Sequence, residues 1–258
     1  MTNGDRLPDL VIGGAPRSGT TFLAALYDRH PDVYVAKPFI PEPKVCMTPA
    51  PDGAAGYAER YQKLFADAPA GKLLVEKTSY YLENEEALER LRLVVPARTR
   101  FLFILREPVE RAYSNYLWSR QNGLETLPFE EAVRLDPRAR PSPLPPERAY
   151  ARPFDYLVRN DYGRFAERWH AAFGRERVRF VLHEELKRRR EAVLCEVQEF
   201  AGLSVRDPDE LDPGRVNLSN SAGLALSPAL RDELRREMRP LVARFAAVTG
   251  VDIRLWGY

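Results

Sequence analysis

Cysteine is nearly absent from this chain: Cys46 and Cys195 are the only two in 258 residues. Two cysteines so far apart exclude a disulfide framework, and both are read as small core side chains. Histidine is almost as scarce, with His30 in a turn-like His-Pro-Asp, His170 in a helical stretch and His183 at the end of a strand. None of the three is placed like a general base, and each reads as structural or surface. No apolar run reaches the ~18 residues of a membrane-spanning helix, and no signal-peptide pattern is present. The expectation is a soluble, cytoplasmic protein without a membrane partner. An excess of one charge is also missing. The 39 basic and 37 acidic residues leave a net charge of +2, which argues against a dedicated nucleic-acid binder. Arg188–Arg190 is a basic run, but Glu184, Glu185 and Glu191 flank it, as on a solvated helix face. Lysine is rare beside 33 arginines: Lys37, Lys44, Lys63, Lys72, Lys77 and Lys187 are all there are. Three of these six fall in the candidate site segments, where a compact, rotatable charge has a use that a guanidinium does not.

What is present is an alternation of short apolar runs and amphipathic stretches. Strands are expected at Leu10–Gly13, Val33–Ala36, Lys72–Glu76, Phe101–Leu105 and Val178–Leu182. Helices are expected at Tyr57–Phe65, Asn84–Leu91, Pro108–Arg120, Gly163–Phe173, Arg190–Ala201 and Pro228–Thr249. That order predicts a three-layer α/β fold with a central parallel β-sheet flanked by helices. The length suits one domain over 1–258 with an ample core. Asp136–Pro153 is proline-rich and poor in apolar residues, so it reads as a flexible loop.

Leu10–Leu23, LVIGGAPRSGTTFL, carries the most chemistry. An apolar strand runs into Gly13 and Gly14, and Phe22-Leu23-Ala24-Ala25-Leu26 then has the apolar content of a helix on a sheet. In this setting backbone N–H groups and the positive end of a helix dipole converge on an anion. The turn is P-loop-like: Gly14 to Gly19 has the G-x-x-x-x-G spacing, but Thr20 stands where a nucleoside-triphosphate loop has Lys. The basic residue comes earlier, at Arg17, whose planar fork suits phosphate or sulfate oxygens. Ser18, Gly19, Thr20 and Thr21 complete the candidate anion cradle. No clear strand supplies the Asp of a magnesium site, so no metal is expected.

Two further segments end strands with charge. Arg106 follows the Phe101–Leu105 run, Pro108 suits the first turn of a helix, and Ser114 falls two turns into it. Together they are suited to a second phosphate group, and Arg106 could equally pair with Glu110. The other segment, Lys72–Leu82 (KLLVEKTSYYL), ends in Glu76 and Lys77, an arrangement that is either a surface ion pair or a site.

These three segments resemble the sulfotransferases that use 3′-phosphoadenosine-5′-phosphosulfate (PAPS). PRSGTTFL is similar to their 5′-phosphosulfate loop, Arg106-Glu107-Pro108 through Ser114 to their 3′-phosphate motif, and Val75-Glu76-Lys77-Thr78 to the V-E-K-T strand of the heparan-sulfate and related bacterial branch. The likeness continues through Asp161-Tyr162-Gly163 to Trp169 and through Val178–Leu186. It implies a PAPS-dependent O-sulfotransferase that releases adenosine 3′,5′-bisphosphate and sulfates a hydroxyl of a small-molecule natural product or a carbohydrate. Steroid- and phenol-type members generally place His after the Lys-Thr pair, where this chain has Ser79. The resemblance instead assigns the base to Glu42, in the proline-stiffened Lys37–Lys44 loop, with Glu76 as a reserve base that more often orients Lys77. Lys77 and Arg17 are expected to neutralise the sulfuryl and leaving-phosphate oxygens. Lys44, Glu76 and Tyr80 are expected at the acceptor, and Ser219 and Asn220 at the cofactor phosphate in place of the basic loop that relatives carry. A nucleotide-dependent kinase and a non-catalytic nucleotide-binding protein are the alternatives. The high Arg and Ala usage suits a bacterial genome and an enzyme of secondary metabolism.

Overall fold

A β-branched or aromatic run too short for a helix, bounded by turn residues, forms a buried strand when both faces are covered. Five such runs do so here. In the computed structural model, which describes residues 6–38, 40–214 and 225–258, they are β1 (Leu10–Gly14), β2 (Val33–Val35), β3 (Leu73–Lys77), β4 (Arg100–Leu105) and β5 (Val178–Leu182). They form one all-parallel sheet in the order β2-β3-β1-β4-β5. The helices are α1 (Thr20–Asp28), α2 (Ala54–Leu64), α3 (Glu85–Val94), α4 (Pro108–Gln121), α5 (Phe129–Ala132), α6 (Tyr162–Phe173), α7 (His183–Arg188), α8 (Arg190–Ala201) and α9 (Pro228–Thr249). No described helix is long and apolar enough to cross a membrane.

The described residues group into two compact units. The first comprises Met1–Leu105 and Arg168–Asn217, the second Arg106–Glu167 and Leu218–Tyr258.

The first unit contains the whole sheet. Strand alternation assigns its side chains to two layers. Leu102 and Ile104 of β4 join Leu23, Ala24 and Tyr27 of α1 and Val193, Leu194 and Val197 of α8 on one face. Phe101 and Phe103 point the other way, onto Trp169 and Phe173, with ring centroids 4.2–5.0 Å apart. Trp169 is fully buried, and its indole N–H donates to the Leu82 carbonyl at 3.0 Å. β1 lies between β3 and β4, where the strand order reverses. In open α/β sheets ligands bind beyond the strand ends at such a switch point, and here the glycine turn follows β1 directly.

In the second unit α4 packs on α9. Glu107 caps α4 by accepting the Glu110 N–H at 2.8 Å. Gly163 lets α6 approach α9 closely: a Cβ there would stand 3.0 Å from the Phe245 backbone nitrogen. The proline-rich stretch contains two 3-10 turns, Pro137–Ala139 and Pro146–Ala151. Arg140 anchors it by donating to Glu125 Oε2 at 2.7 Å while lying over the Phe154 ring. Burial alone would push the Glu125 carboxyl up. Hydrogen bonds from Arg140, Tyr156 and the Leu127 backbone outweigh it and hold the group at about 2.

Cys46 is fully buried, and burial first, then the nearby Glu76 charge, pushes its thiol up to about 12. Cys195 departs from expectation: it is half-exposed on α8, because the apolar stripe of that helix runs through Val193, Leu194 and Val197 instead. Arg188 and Arg189 are solvated as read, Arg190 is half-buried, and Arg189 also bridges Glu185 and Glu196.

Candidate active site

The turn after β1 is shaped by its glycines. A Cβ on Gly13 would lie 2.5 Å from the Phe103 ring, and one on Gly14 would meet the Ser79 carbonyl at 2.8 Å. Gly14 and Gly19 have φ of 152° and 107°, so a side chain at either would also be strained. Gly19 caps α1 without a side-chain bond, and the Phe22 N–H donates to its carbonyl at 3.1 Å, so the turn opens on the positive end of the helix. Ser18 is fully buried, and its hydroxyl has no hydrogen-bond partner among the described residues. Buried hydroxyls are normally satisfied, so an acceptor-rich group such as a phosphate fits this cradle. Arg17 sits beside it, half-buried, with a positive φ of 70°. Thr20 is buried at the first position of α1, and Thr21 beside it is half-buried.

The second loop, between β2 and α2, carries Glu42. Its carboxylate Oε1 lies 2.7 Å from Lys77 Nζ and accepts from Ser79 Oγ at 2.6 Å, while Oε2 accepts the Ser79 N–H at 3.1 Å. The ion pair is largely shielded, with 4% of the Lys77 side chain and 11% of the Glu42 side chain exposed. Glu42 thus meets Lys77 and Ser79 from 37 positions away in sequence, counted to Ser79, because β3 ends at Lys77 beside β1, and the Glu42 loop folds back over that end.

The loop holds its shape through specific anchors. Arg60 donates to the carbonyls of Val45, Thr48 and Pro49, and Arg90 to those of Cys46 and Met47. Lys44, expected at the acceptor, has φ 56°; its backbone N–H donates to Thr78 Oγ1 at 3.0 Å and its Nζ to the Glu42 carbonyl at 3.3 Å. Of the three described non-glycine residues with positive φ, two are Arg17 and Lys44, one in each loop. Sparsely populated backbone states of this kind persist where the surroundings over-determine them.

Glu76 does not stand where the sequence put it. It is fully buried, and its two oxygens accept from Tyr61 OH (2.6 Å), Tyr81 OH (2.7 Å) and Thr78 Oγ1 (2.8 Å). Burial pushes this carboxyl up, opposed by those three hydroxyl donors and the Val45 backbone. Consecutive strand residues face opposite ways, so Glu76 turns toward Tyr61 of α2 while Lys77 faces Glu42. Glu76 therefore neither orients Lys77 directly nor reaches an acceptor or serves as its base. Tyr80 is half-buried on the turn that follows β3.

His183, read as structural or surface, lies against the glycine turn. A Cβ on Gly19 would come 3.1 Å from its Nδ1. Only a glycine facing a histidine from β5's end could have signalled this, and nothing in the local sequence links the two. His30 accepts the Asp32 N–H and meets the Ser204 carbonyl, and His170 sets its ring edge-on to Phe180, so both are structural as read.

In the second unit Arg106 approaches Glu110 Oε2 at 3.5 Å, a long contact, and Glu110 Oε1 accepts from Arg231 Nε at 2.9 Å. Ser114 is buried on α4. Two guanidinium groups thus share one carboxylate, an arrangement with positive charge to spare. Ser219 and Asn220 lie outside the described residues.

Residues 7–220 match the sulfotransferase domain family. The human bifunctional heparan sulfate N-deacetylase/N-sulfotransferase 3 is 28% identical over 208 residues, covering 77% of this chain and 23% of that protein. A membrane-associated sulfotransferase of Dictyostelium discoideum is 30% identical over 115 residues, covering 45% of this chain and 24% of its own length. The chain therefore spans about a quarter of the length of these relatives. Among solved structures, a sulfotransferase from Alicyclobacillus acidocaldarius superposes with a TM-score of 0.75 at 25% identity, covering 98% of this chain and 99% of that one. The sulfotransferase domain of the Synechococcus PCC 7002 olefin synthase shares the fold, with a TM-score of 0.56 at 18% identity over 93% of this chain and 94% of that domain. With its parallel sheet, glycine turn and family match in agreement, the chain belongs to the sulfotransferase domain family.

Proposed function

We propose that this protein is a PAPS-dependent O-sulfotransferase in which Glu42 is the general base. The observation that carries the reading is the shielded Glu42–Lys77–Ser79 cluster at the end of β3, beside the strand whose turn forms the anion cradle. PAPS is the donor substrate. Ser18, Gly19, Thr20 and Thr21 bind its 5′-phosphosulfate through N–H and hydroxyl donors, and Arg17 supplies charge. Arg106 and Ser114 read the 3′-phosphate, with Ser219 and Asn220 contributing to the same phosphate. The two compact units serve one sulfotransferase domain. No metal is assigned a step in this reading.

Sulfuryl transfer, like phosphoryl transfer, depends on alignment and charge neutralisation. An acceptor hydroxyl attacks sulfur in line with the departing phosphate. Its proton passes to the Glu42 carboxylate, the new O–S bond forms, the S–O bond to the 5′-phosphate breaks, and adenosine 3′,5′-bisphosphate leaves. Ser79 orients Glu42 through both carboxylate oxygens. Lys77 Nζ lies 2.7 Å from the carboxylate, and its charge is near enough to turn toward the leaving oxygens.

The acceptor is a small-molecule or carbohydrate hydroxyl. A groove of about 560 Å³ adjoins the Glu42 loop, lined by Tyr34, Lys37, Pro43, Lys44, Arg60 and Lys63. An aromatic ring with a rim of long donors suits a polyhydroxylated molecule. The likeness to a heparan sulfate N-deacetylase/N-sulfotransferase supports the carbohydrate arm. A bacterial, cytoplasmic setting fits this reading.

Calorimetric titration tests the donor assignment. Adenosine 3′,5′-bisphosphate is expected to bind at least about tenfold more tightly than ADP, a difference of ~1.4 kcal/mol from the 3′-phosphate contacts. Equal affinity for the two would overturn the roles given to Arg106 and Ser114.

A further inference from the structure

The transfer as proposed leaves one buried charge without a task. Glu76 sits at the centre of a closed hydrogen-bond system that reaches the Glu42 loop by three routes. Thr78 Oγ1 donates to Glu76 Oε1 at 2.8 Å and accepts the Lys44 N–H at 3.0 Å. Tyr81 OH donates to the same oxygen at 2.7 Å and accepts the Cys46 N–H at 3.0 Å. The backbone of Val45, between them, bonds to Glu76 directly. Three consecutive loop residues, starting two positions after Glu42, are thereby tied to one carboxylate.

Hydrogen-bond polarity gives this arrangement its meaning. A hydroxyl has one hydrogen and two lone pairs, and an ionised carboxylate only accepts. Glu76 therefore draws the Thr78 and Tyr81 hydrogens inward and leaves their lone pairs facing the loop, where two backbone N–H groups need acceptors. If either hydroxyl turned around, it would present its hydrogen to an N–H and leave a buried donor unsatisfied. Tyr61 is a built-in control. Its hydroxyl donates to Glu76 Oε2 at 2.6 Å but meets only the Cys46 sulfur, at 3.8 Å, and no loop backbone.

We propose that Glu76 is a positioning residue whose acceptor-only carboxylate polarises Thr78 and Tyr81 so that they clamp the Glu42 loop in register with Lys77. The inference rests on Glu42 being the base. It explains why a fully buried carboxylate is tolerated one residue before the lysine of the site: the two side chains face opposite ways, one toward the reaction and the other fixing the loop that supplies its partner.

The test compares Thr78→Val, Tyr81→Phe, Tyr61→Phe and Glu76→Gln, with Thr78→Ser as the conservative rescue. Turnover is read with radiolabelled PAPS and p-nitrophenol or a glucosamine-containing oligosaccharide. Amide hydrogen exchange at Lys44 and Cys46 reads the clamp without any acceptor. Misplacing a base by a fraction of an ångström is expected to lower kcat about tenfold in Thr78→Val and Tyr81→Phe, with the Kd for adenosine 3′,5′-bisphosphate within about twofold of wild type. Glu76→Gln is expected to lower kcat at least as much, because an amide would present hydrogens to hydroxyls that must donate. Thr78→Ser should retain the wild-type kcat. Tyr61→Phe should stay within about twofold in kcat, although it removes a hydrogen bond from the same carboxylate. Exchange should accelerate at Lys44 in Thr78→Val and at Cys46 in Tyr81→Phe, and at neither in Tyr61→Phe. Unchanged exchange at both amides would overturn the clamp even if no acceptor were turned over. So would a kcat loss in Tyr61→Phe equal to that in Tyr81→Phe, or a loss confined to cofactor binding. A wild-type protein that moved no sulfuryl group yet showed the expected exchange pattern would refute the proposed activity and leave the clamp standing.

Discussion

Glu42→Gln is expected to lower kcat by about 10²–10⁴-fold, the range that general-base catalysis contributes, while adenosine 3′,5′-bisphosphate binds as it does to the wild type. The amide keeps the side chain's size and one oxygen for the Ser79 N–H, so the loop has reason to stay in place. What disappears is an atom able to take the acceptor proton. The substitution also leaves Lys77 facing an amide inside a shielded site, where breaking a buried pair costs about 3–5 kcal/mol. A fall in thermal stability should therefore accompany the kinetic loss. Assaying below the midpoint of the variant's own unfolding transition separates the two. Retention of near-normal turnover would remove Glu42 from the mechanism.

Lys77→Met gives the second large effect, a fall in kcat of about 10²–10³-fold, comparable with the loss of one oxyanion donor in other enzymes. Methionine preserves the apolar stem that packs at the end of β3 and removes only the charge. Two consequences separate this variant from Glu42→Gln. Glu42 retains both Ser79 contacts and can still accept a proton, so the remaining activity should be higher than in Glu42→Gln. The double variant should lose less than the two single losses combined, because residues in direct contact do not act independently. Full additivity would mean that the 2.7 Å ion pair has no part in transfer.

Much of the scaffold is legible in the sequence, for physical reasons. All five strands lie where the apolar runs place them, β5 to the residue and the others within one residue at either end, because strands buried on both faces leave an uninterrupted hydrophobic signature. α8 and α9 begin and end where their periodicity and flanking residues indicate, Pro228 opening α9 and Gly202 and Gly250 closing the two helices in left-handed conformation. No sequence pattern predicts α7. It is a single short element after β5 whose six residues carry only one buried apolar side chain, Leu186, too few to display a period. The strand order was equally invisible, since it depends on pairings between distant segments.

The site was legible in its parts and obscure in its connections. Glycine spacing and Arg17 mark the cradle in one continuous stretch, so the chain itself displays them. The pairing of Glu42 with Lys77 follows from a loop folding back over a strand end, and no local pattern records it. Glu76 shows why. Adjacency to Lys77 in sequence predicts that it orients that lysine, yet the two-residue period of a strand turns it toward Tyr61 and Tyr81. Those tyrosines stand 15 and 5 positions away in the chain and nothing about either, read alone, distinguishes it from a core aromatic.

The central claim, that the cluster around Glu42 transfers a sulfuryl group, is tested most directly by incubating the protein with radiolabelled PAPS and a panel of phenolic and glycan hydroxyl acceptors. The wild type should release adenosine 3′,5′-bisphosphate in equal amount to a labelled, sulfated acceptor, and the Glu42→Gln protein, still binding the nucleotide, should release almost none. Tight nucleotide binding with no label moved by the wild type, or equal transfer by both proteins, would contradict it.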